Sequence, residues 1–69
     1  MPHLDLDNIF TYHAPKGDQQ ERYVAIRQKA KEFAELVQDT TPASREQSLA
    51  ITAIQQATQW ANAAIAINE

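Results

Sequence analysis

Phe10-Thr-Tyr-His-Ala-Pro-Lys16 places two aromatic rings, an imidazole and an ammonium on one short stretch, and a guanidinium, Arg27, follows it closely. Flat rings at Phe10 and Tyr12 can stack on a nucleobase, and Lys16 or Arg27 can neutralise a phosphate. Five of the six basic residues, Lys16, Arg22, Arg27, Lys29 and Lys31, fall in this one span of a chain whose formal net charge is −3. The same residues also have a plain structural use. Tyr12 and Phe10 can close the end of a helical bundle as core, and lysines can pair with neighbouring carboxylates on a helix surface. For Lys29 and Lys31, beside Glu32 and Glu35, surface pairing is the better reading. For Tyr12 with Arg27 both readings stand.

Catalysis finds little support in the pattern. The chain has no glycine-rich phosphate loop, no nucleophile motif and no carboxylate pair in an evidently apolar setting. His13 can act as an acid or a base, yet no sequence-near residue orients it, so the expectation is a non-enzyme. His3 and His13, with Asp5 and Asp7, are a weak basis for a metal site, and the absence of cysteine excludes disulfides and thiolate zinc. No cofactor and no metal are expected. The acidic balance gives no general attraction for polymeric nucleic acid or for an anionic membrane. No signal peptide is visible at the N-terminus. The uncharged run Gln47–Asn68 is long enough to span a bilayer, but glutamine, serine, threonine and asparagine interrupt it too often.

The elements that must position these residues are helices. Residues 1–17 carry Pro2, Pro15 and the one glycine, Gly17, without helical period, and read as an arm, partly extended through Ile9–Tyr12. Residues 18–69 read as a helical hairpin, with helices over about 18–40 and 44–67. Asp18 with Glu21 approximates a capping box, and Tyr23, Ile26, Ala30, Phe33 and Val37 then recur at spacings of three and four. Asp39-Thr-Thr-Pro42 ends this helix. Ser44 and Gln47 mark the start of the next, and so short a connection folds the two back antiparallel.

The second helix is apolar over most of its circumference: Leu49, Ile51, Ile54, Trp60, Ile65 and Ile67 stand on several faces among many alanines. One hairpin partner covers only one side of it, so the rest calls for other chains. Length points the same way, because a 69-residue chain buries only about 60% of its unfolded surface and needs disulfides, metal or oligomerisation to compensate. A monomeric hairpin with an alanine-rich outer face is the alternative, at the cost of exposed isoleucines. Trp60 reads as core, Tyr23 as a packing residue with its hydroxyl at the rim, and Asn62 and Asn68 as interhelical hydrogen-bonders that set register.

Four words in order, Phe10-x-Tyr12-His13-x-Pro15, Gln20-Glu-Arg-Tyr23 with Ile26-Arg27, Pro42-x-Ser44-Arg45-Glu46-x-Ser48, and Trp60-Ala-Asn62-x-x-Ile65-Ala-x-Asn68-Glu69, run through nearly the whole chain. In these the chain resembles the phage anti-CBASS cyclic-nucleotide sponges, whose helical hairpin is shared with the anti-Thoeris sponges. The resemblance implies an all-α homo-oligomer, in that family a hexamer, acting in the cytoplasm of the infected bacterium. It would sequester cyclic dinucleotides, and in some members cyclic trinucleotides, without cleaving them. Phe10, Tyr12, His13, Pro15, Lys16 and Arg27 match the cyclic-nucleotide site, with Tyr12 as the arm aromatic and Arg27 as the helix basic residue. Some relatives carry lysine at the Arg27 position, and guanidinium and ammonium meet phosphate differently. Ser44, Arg45 and Ser48 are a weaker match for a second ligand site. Two other functions remain in view: a sponge for a cyclic ADP-ribose isomer, and a structural or regulatory bundle that docks another protein.

Overall fold

Asp5 accepts a hydrogen bond from the Asn8 main-chain N–H at 3.1 Å and so caps a single-turn helix, α1, over Leu6–Ile9. Of the stretch Ile9–Tyr12, expected to be partly extended, Ile9 is therefore helical, and Phe10 closes the turn by donating to the Leu6 carbonyl. Four residues are too few for an apolar period, so only the Asp5 cap marked this turn in the sequence. These features belong to a computed structural model, which describes residues 4–69; His3 lies outside the described residues.

Two long helices follow, α2 over Gln19–Thr40 and α3 over Arg45–Asn68, and no strand occurs among the described residues. Gly17 makes the turn into α2 with φ of 58°, in the left-handed region that glycine enters without a Cβ penalty. Asp18 flanks α2 but makes no side-chain cap, so the expected capping box is absent. Its carboxylate instead faces Arg22 one turn along, at 3.2 Å. At this end the Gln19 N–H donates to the Lys16 carbonyl at 3.1 Å, and the Lys16 main-chain N–H donates in return to Gln19 Oε1.

At the other end the capping logic holds. Ser44 Oγ accepts from the Gln47 N–H at 3.1 Å, the first bond of a capping box. The Gln47 side chain does not complete the box; it crosses to α2 and donates to the carbonyls of Gln38 and Thr41. Thr40 and Thr41 hydroxyls turn back onto the carbonyls of Leu36 and Val37 as α2 ends. Gln47 thus joins the start of α3 to the end of α2, while Gln19 joins the start of α2 to Glu69 just beyond α3. The two helices pack on each other antiparallel, as a hairpin.

The hairpin has almost no core of its own. Ile65 is the one buried apolar residue among those described, and Gln19 the one buried polar residue. Val24, Phe33, Leu36 and Leu49 are more than half exposed, and Trp60 is 75% exposed, so the expected core tryptophan lies uncovered in the single chain. Ile26, Ala30, Phe33, Val37, Ile54 and Ala57 line a trough of about 640 Å³ between the helices that offers little polarity beyond Lys29 and Thr58. A soluble chain seldom leaves this much contiguous apolar surface to water. No helix of the described residues is long and apolar enough to cross a membrane.

The Ser44 cap is the most local of these stabilising contacts and can be tested alone. Ser44→Ala is expected to destabilise the fold by about 1 kcal/mol, and Ser44→Asp to retain most of the stability. Denaturant titration followed by circular dichroism reads both.

Candidate functional site

Gln20, Tyr23 and Arg27 lie at spacings of three and four on α2, which sets them on one face. Asn62, Ala63 and Ala66 of α3 lie beside that face, where the alanines leave room. His13 and Pro15, from the segment ahead of α2, complete the wall of an open groove of about 470 Å³. Unlike the apolar trough, this groove mixes polar and apolar surface, and no carboxylate lines it.

Arg27 is its one cationic side chain. The guanidinium has no ion pair and no hydrogen bond among the described residues, and the residue is exposed. Arg22 and Lys29, by contrast, are engaged, with Asp18 and Glu69 in the first case and with Glu32 at 3.3 Å in the second. Gln28 and Lys29 together hold the Glu32 carboxyl below its ordinary range. The pairing expected for Lys29 forms; the one between Lys31 and Glu35 does not occur among the described residues. An unpaired guanidinium in a carboxylate-free groove suits a phosphate, which its planar fork can grip with two parallel bonds.

Asn62 is the second incomplete group. Its Oδ1 is sealed from water and has no hydrogen-bond partner. A buried acceptor left so costs about 1–3 kcal/mol, an incentive for the carboxamide to turn towards a donor brought into the groove. His13 is better provided for: its Nε2 meets the Asn8 carbonyl at 2.8 Å. A carbonyl only accepts, so Nε2 carries the proton and Nδ1 is the ring atom left over. Asn8 in turn donates through Nδ2 to the Ile67 carbonyl at 3.0 Å, fastening α1 to the last turn of α3.

The sequence candidates therefore separate into four groups. His13, Pro15 and Arg27 come together in the groove. Phe10 and Tyr12 stand outside its wall, 82% and 85% exposed, so neither closes a core within the chain. Lys16 is spent elsewhere, its Nζ on the Glu69 main-chain oxygen at 2.9 Å. Gln20, Tyr23 and Asn62 also line the groove; sequence reasoning assigned Tyr23 to packing and Asn62 to register, and gave Gln20 no role of its own. Their signal was the shared face of Gln20, Tyr23 and Arg27, and a polar residue amid the alanines of α3. Ser44, Arg45 and Ser48 lie at the opposite end of α3, about 25 Å from Asn62 at 1.5 Å per residue. There Ser44 is committed to its cap and to the Pro42 carbonyl, and Arg45 sits exposed at 3.9 Å from Glu46.

Glu69 gathers an ionic cluster with Arg22 and Gln19. Arg22 reaches it with Nη1 at 2.9 Å and Nη2 at 2.5 Å, and Gln19 Nε2 adds a third bond at 3.3 Å. The Arg22 hydrogen bonds, then that of Gln19, pull the Glu69 carboxyl down to about 2, and the same contact raises Arg22 well above its ordinary value. Asp5 caps α1, and no three residues of metal-ligating type gather among those described.

The family described as "Acb2/Tad1, hairpin domain" matches residues 2–66. The chain belongs to this family, which makes it a phage anti-defence hairpin protein of the cyclic-nucleotide sponge type. Neither the comparison with curated proteins nor that with solved structures gives a match.

The depressed carboxyl of Glu69 has a testable pH signature. A carboxyl lowered from 4.5 to about 2 stabilises the fold fully above the higher value and loses that contribution as pH falls towards the lower. The difference in thermal midpoint between the unmodified chain and Glu69→Gln should be constant above about pH 5 and shrink steadily below about pH 4.5. A difference that persists unchanged at about pH 2 would show that the ionic bond contributes nothing.

Proposed function

We propose that this chain assembles with copies of itself and sequesters cyclic oligonucleotide second messengers, cyclic dinucleotides first among them, without cleaving them. It thereby starves the effectors of CBASS immunity in the cytoplasm of the infected bacterium. One observation carries this reading: Arg27, a guanidinium with no carboxylate partner among the described residues, lies in a groove with His13, Tyr23 and Asn62. Family membership supplies the ligand class.

A cyclic dinucleotide carries two phosphates and two flat bases in a small ring. Arg27 takes one phosphate, and the groove wall supplies neutral donors and acceptors for the rest. Phe10 and Tyr12 remain free to stack on bases, including bases held by a neighbouring copy. Assembly supplies that neighbour, because the uncovered faces around Phe33, Leu36, Leu49 and Trp60 find cover only in further chains. The family's hexamer satisfies this demand. Sequestration rather than hydrolysis fits the groove as well. It presents no carboxylate base, and the His13 Nε2 proton is already given to the Asn8 carbonyl. For cyclic trinucleotides the proposed second site remains the Ser44, Arg45 and Ser48 region at the far end of the hairpin.

Calorimetric titration with a panel of cyclic di- and trinucleotides and cyclic ADP-ribose isomers tests this directly. Cyclic dinucleotides should bind, and heat denaturation of the complex should return them chemically intact. Arg27→Ala should weaken binding about ten- to a hundredfold, the scale of a lost charge-assisted bond. Tyr12→Ala should lose a comparable amount through stacking, about 1–3 kcal/mol. Heat only with a cyclic ADP-ribose isomer would move the chain to the anti-Thoeris role. No heat with any messenger would leave a protein-docking bundle as the function.

A further inference from the structure

The last carbonyls of any helix lack partners within it, and their combined dipoles make that end partly negative. In α3 two of these oxygens are answered from the N-terminal segment. Asn8 Nδ2 donates to the Ile67 carbonyl at 3.0 Å, and Lys16 Nζ donates to the Glu69 main-chain oxygen at 2.9 Å. Each fastening is reinforced. His13 Nε2 holds the Asn8 carbonyl at 2.8 Å. Gln19, only 4% exposed, accepts from the Lys16 N–H and donates to Glu69, whose carboxylate Arg22 clamps with two further bonds. Both fastenings close on one place, the final turn of α3. Between them runs the stretch that carries Phe10, Tyr12 and His13.

We propose that the final turn of α3 is a positioning device for ligand capture, in which Asn8 and Glu69 hold the segment that carries Tyr12 and His13 in place before any ligand arrives. The proposal rests on the sponge reading of the groove and adds to it two residues with no place in the groove wall. A segment fastened at both ends has already lost most of the freedom that binding would otherwise have to remove. Release of one end lets Tyr12 and His13 sample other positions. Apparent affinity then falls in proportion to the fraction of chains still correctly placed. Arg27, on the rigid middle of α2, is unaffected by such release.

Asn8→Ala and Glu69→Gln separate this role from ligand contact. Each is expected to weaken cyclic-dinucleotide binding about three- to tenfold, the effect of a competent fraction reduced to between a third and a tenth. In the free protein, amide hydrogen exchange over residues 10–16 should quicken in both variants, and saturating ligand should return it to the rate of the unmodified complex. Arg27→Ala should weaken binding while leaving exchange of the free segment unchanged. Glu69→Asp, which keeps an anionic acceptor for Arg22, should recover part of the loss. Glu69 is exposed enough for its variants to carry the test should Asn8→Ala fail to fold. Unchanged affinity in the variants of a chain that does bind cyclic dinucleotides overturns this proposal alone. Absence of binding by the unmodified chain overturns the sponge reading, and this one with it.

Discussion

A two-helix hairpin has two faces and can cover one. That constraint governs nearly everything else in this chain. The face where α2 meets α3 is narrow and alanine-rich, and among the described residues it buries a single apolar side chain, Ile65. What stays uncovered is large: Phe33 and Leu36 along α2, Leu49 and Trp60 along α3. Hydrophobic burial is the main favourable term in folding, so a hairpin of this kind gains most of its stability outside itself. In the proposed assembly the missing cover comes from further copies, and the space between copies becomes available for binding.

Polarity is distributed to match. Most charged groups of the hairpin are answered locally: Lys29 by Glu32, and Arg22 by Asp18 and Glu69. Those pairs lie at or near the surface, where they contribute little individually; of the cations without an ion pair among the described residues, Arg27 is the one that lines the groove. An exposed guanidinium beside an orphaned carboxamide oxygen and an oriented imidazole is a poor arrangement for a free surface and a good one for an anion with flat hydrogen-bonding edges. The groove and the apolar trough thus divide the labour. One lacks charge partners and awaits ligand; the other lacks polarity and suits another chain.

Helix periodicity made the two long helices legible in the sequence, because apolar spacing, the Pro42 break and the Ser44 cap all agreed there. Trp60 illustrates the limit. Its place in an apolar run reads as burial, yet burial depends on neighbours that a single chain does not contain. α1 escaped notice because one turn has no period to detect. Asp18 misled because its carboxylate had two competing partners, and Arg22 at i+4 prevailed over the helix amides. Within the site, Arg27 and His13 stood out by residue type. Tyr23 and Asn62 did not, for a tyrosine or an asparagine in a helix usually serves packing or register. The Glu69 cluster was beyond reach, since it joins residues about fifty apart whose proximity only the closed hairpin creates.

Tyr12 and Arg27 are both available, yet only Arg27 lines the groove of its own chain. In the proposed assembly, a complete pocket takes its aromatic lid from one copy and its guanidinium from another. Complementation measures this most directly. Tyr12→Ala and Arg27→Ala chains are denatured together, refolded as mixed assemblies and titrated with a cyclic dinucleotide. The account predicts that the mixture regains a fraction of the binding sites at unmodified affinity, because some pockets pair an intact Tyr12 with an intact Arg27. A mixture that binds no better than the two variants separately would contradict it.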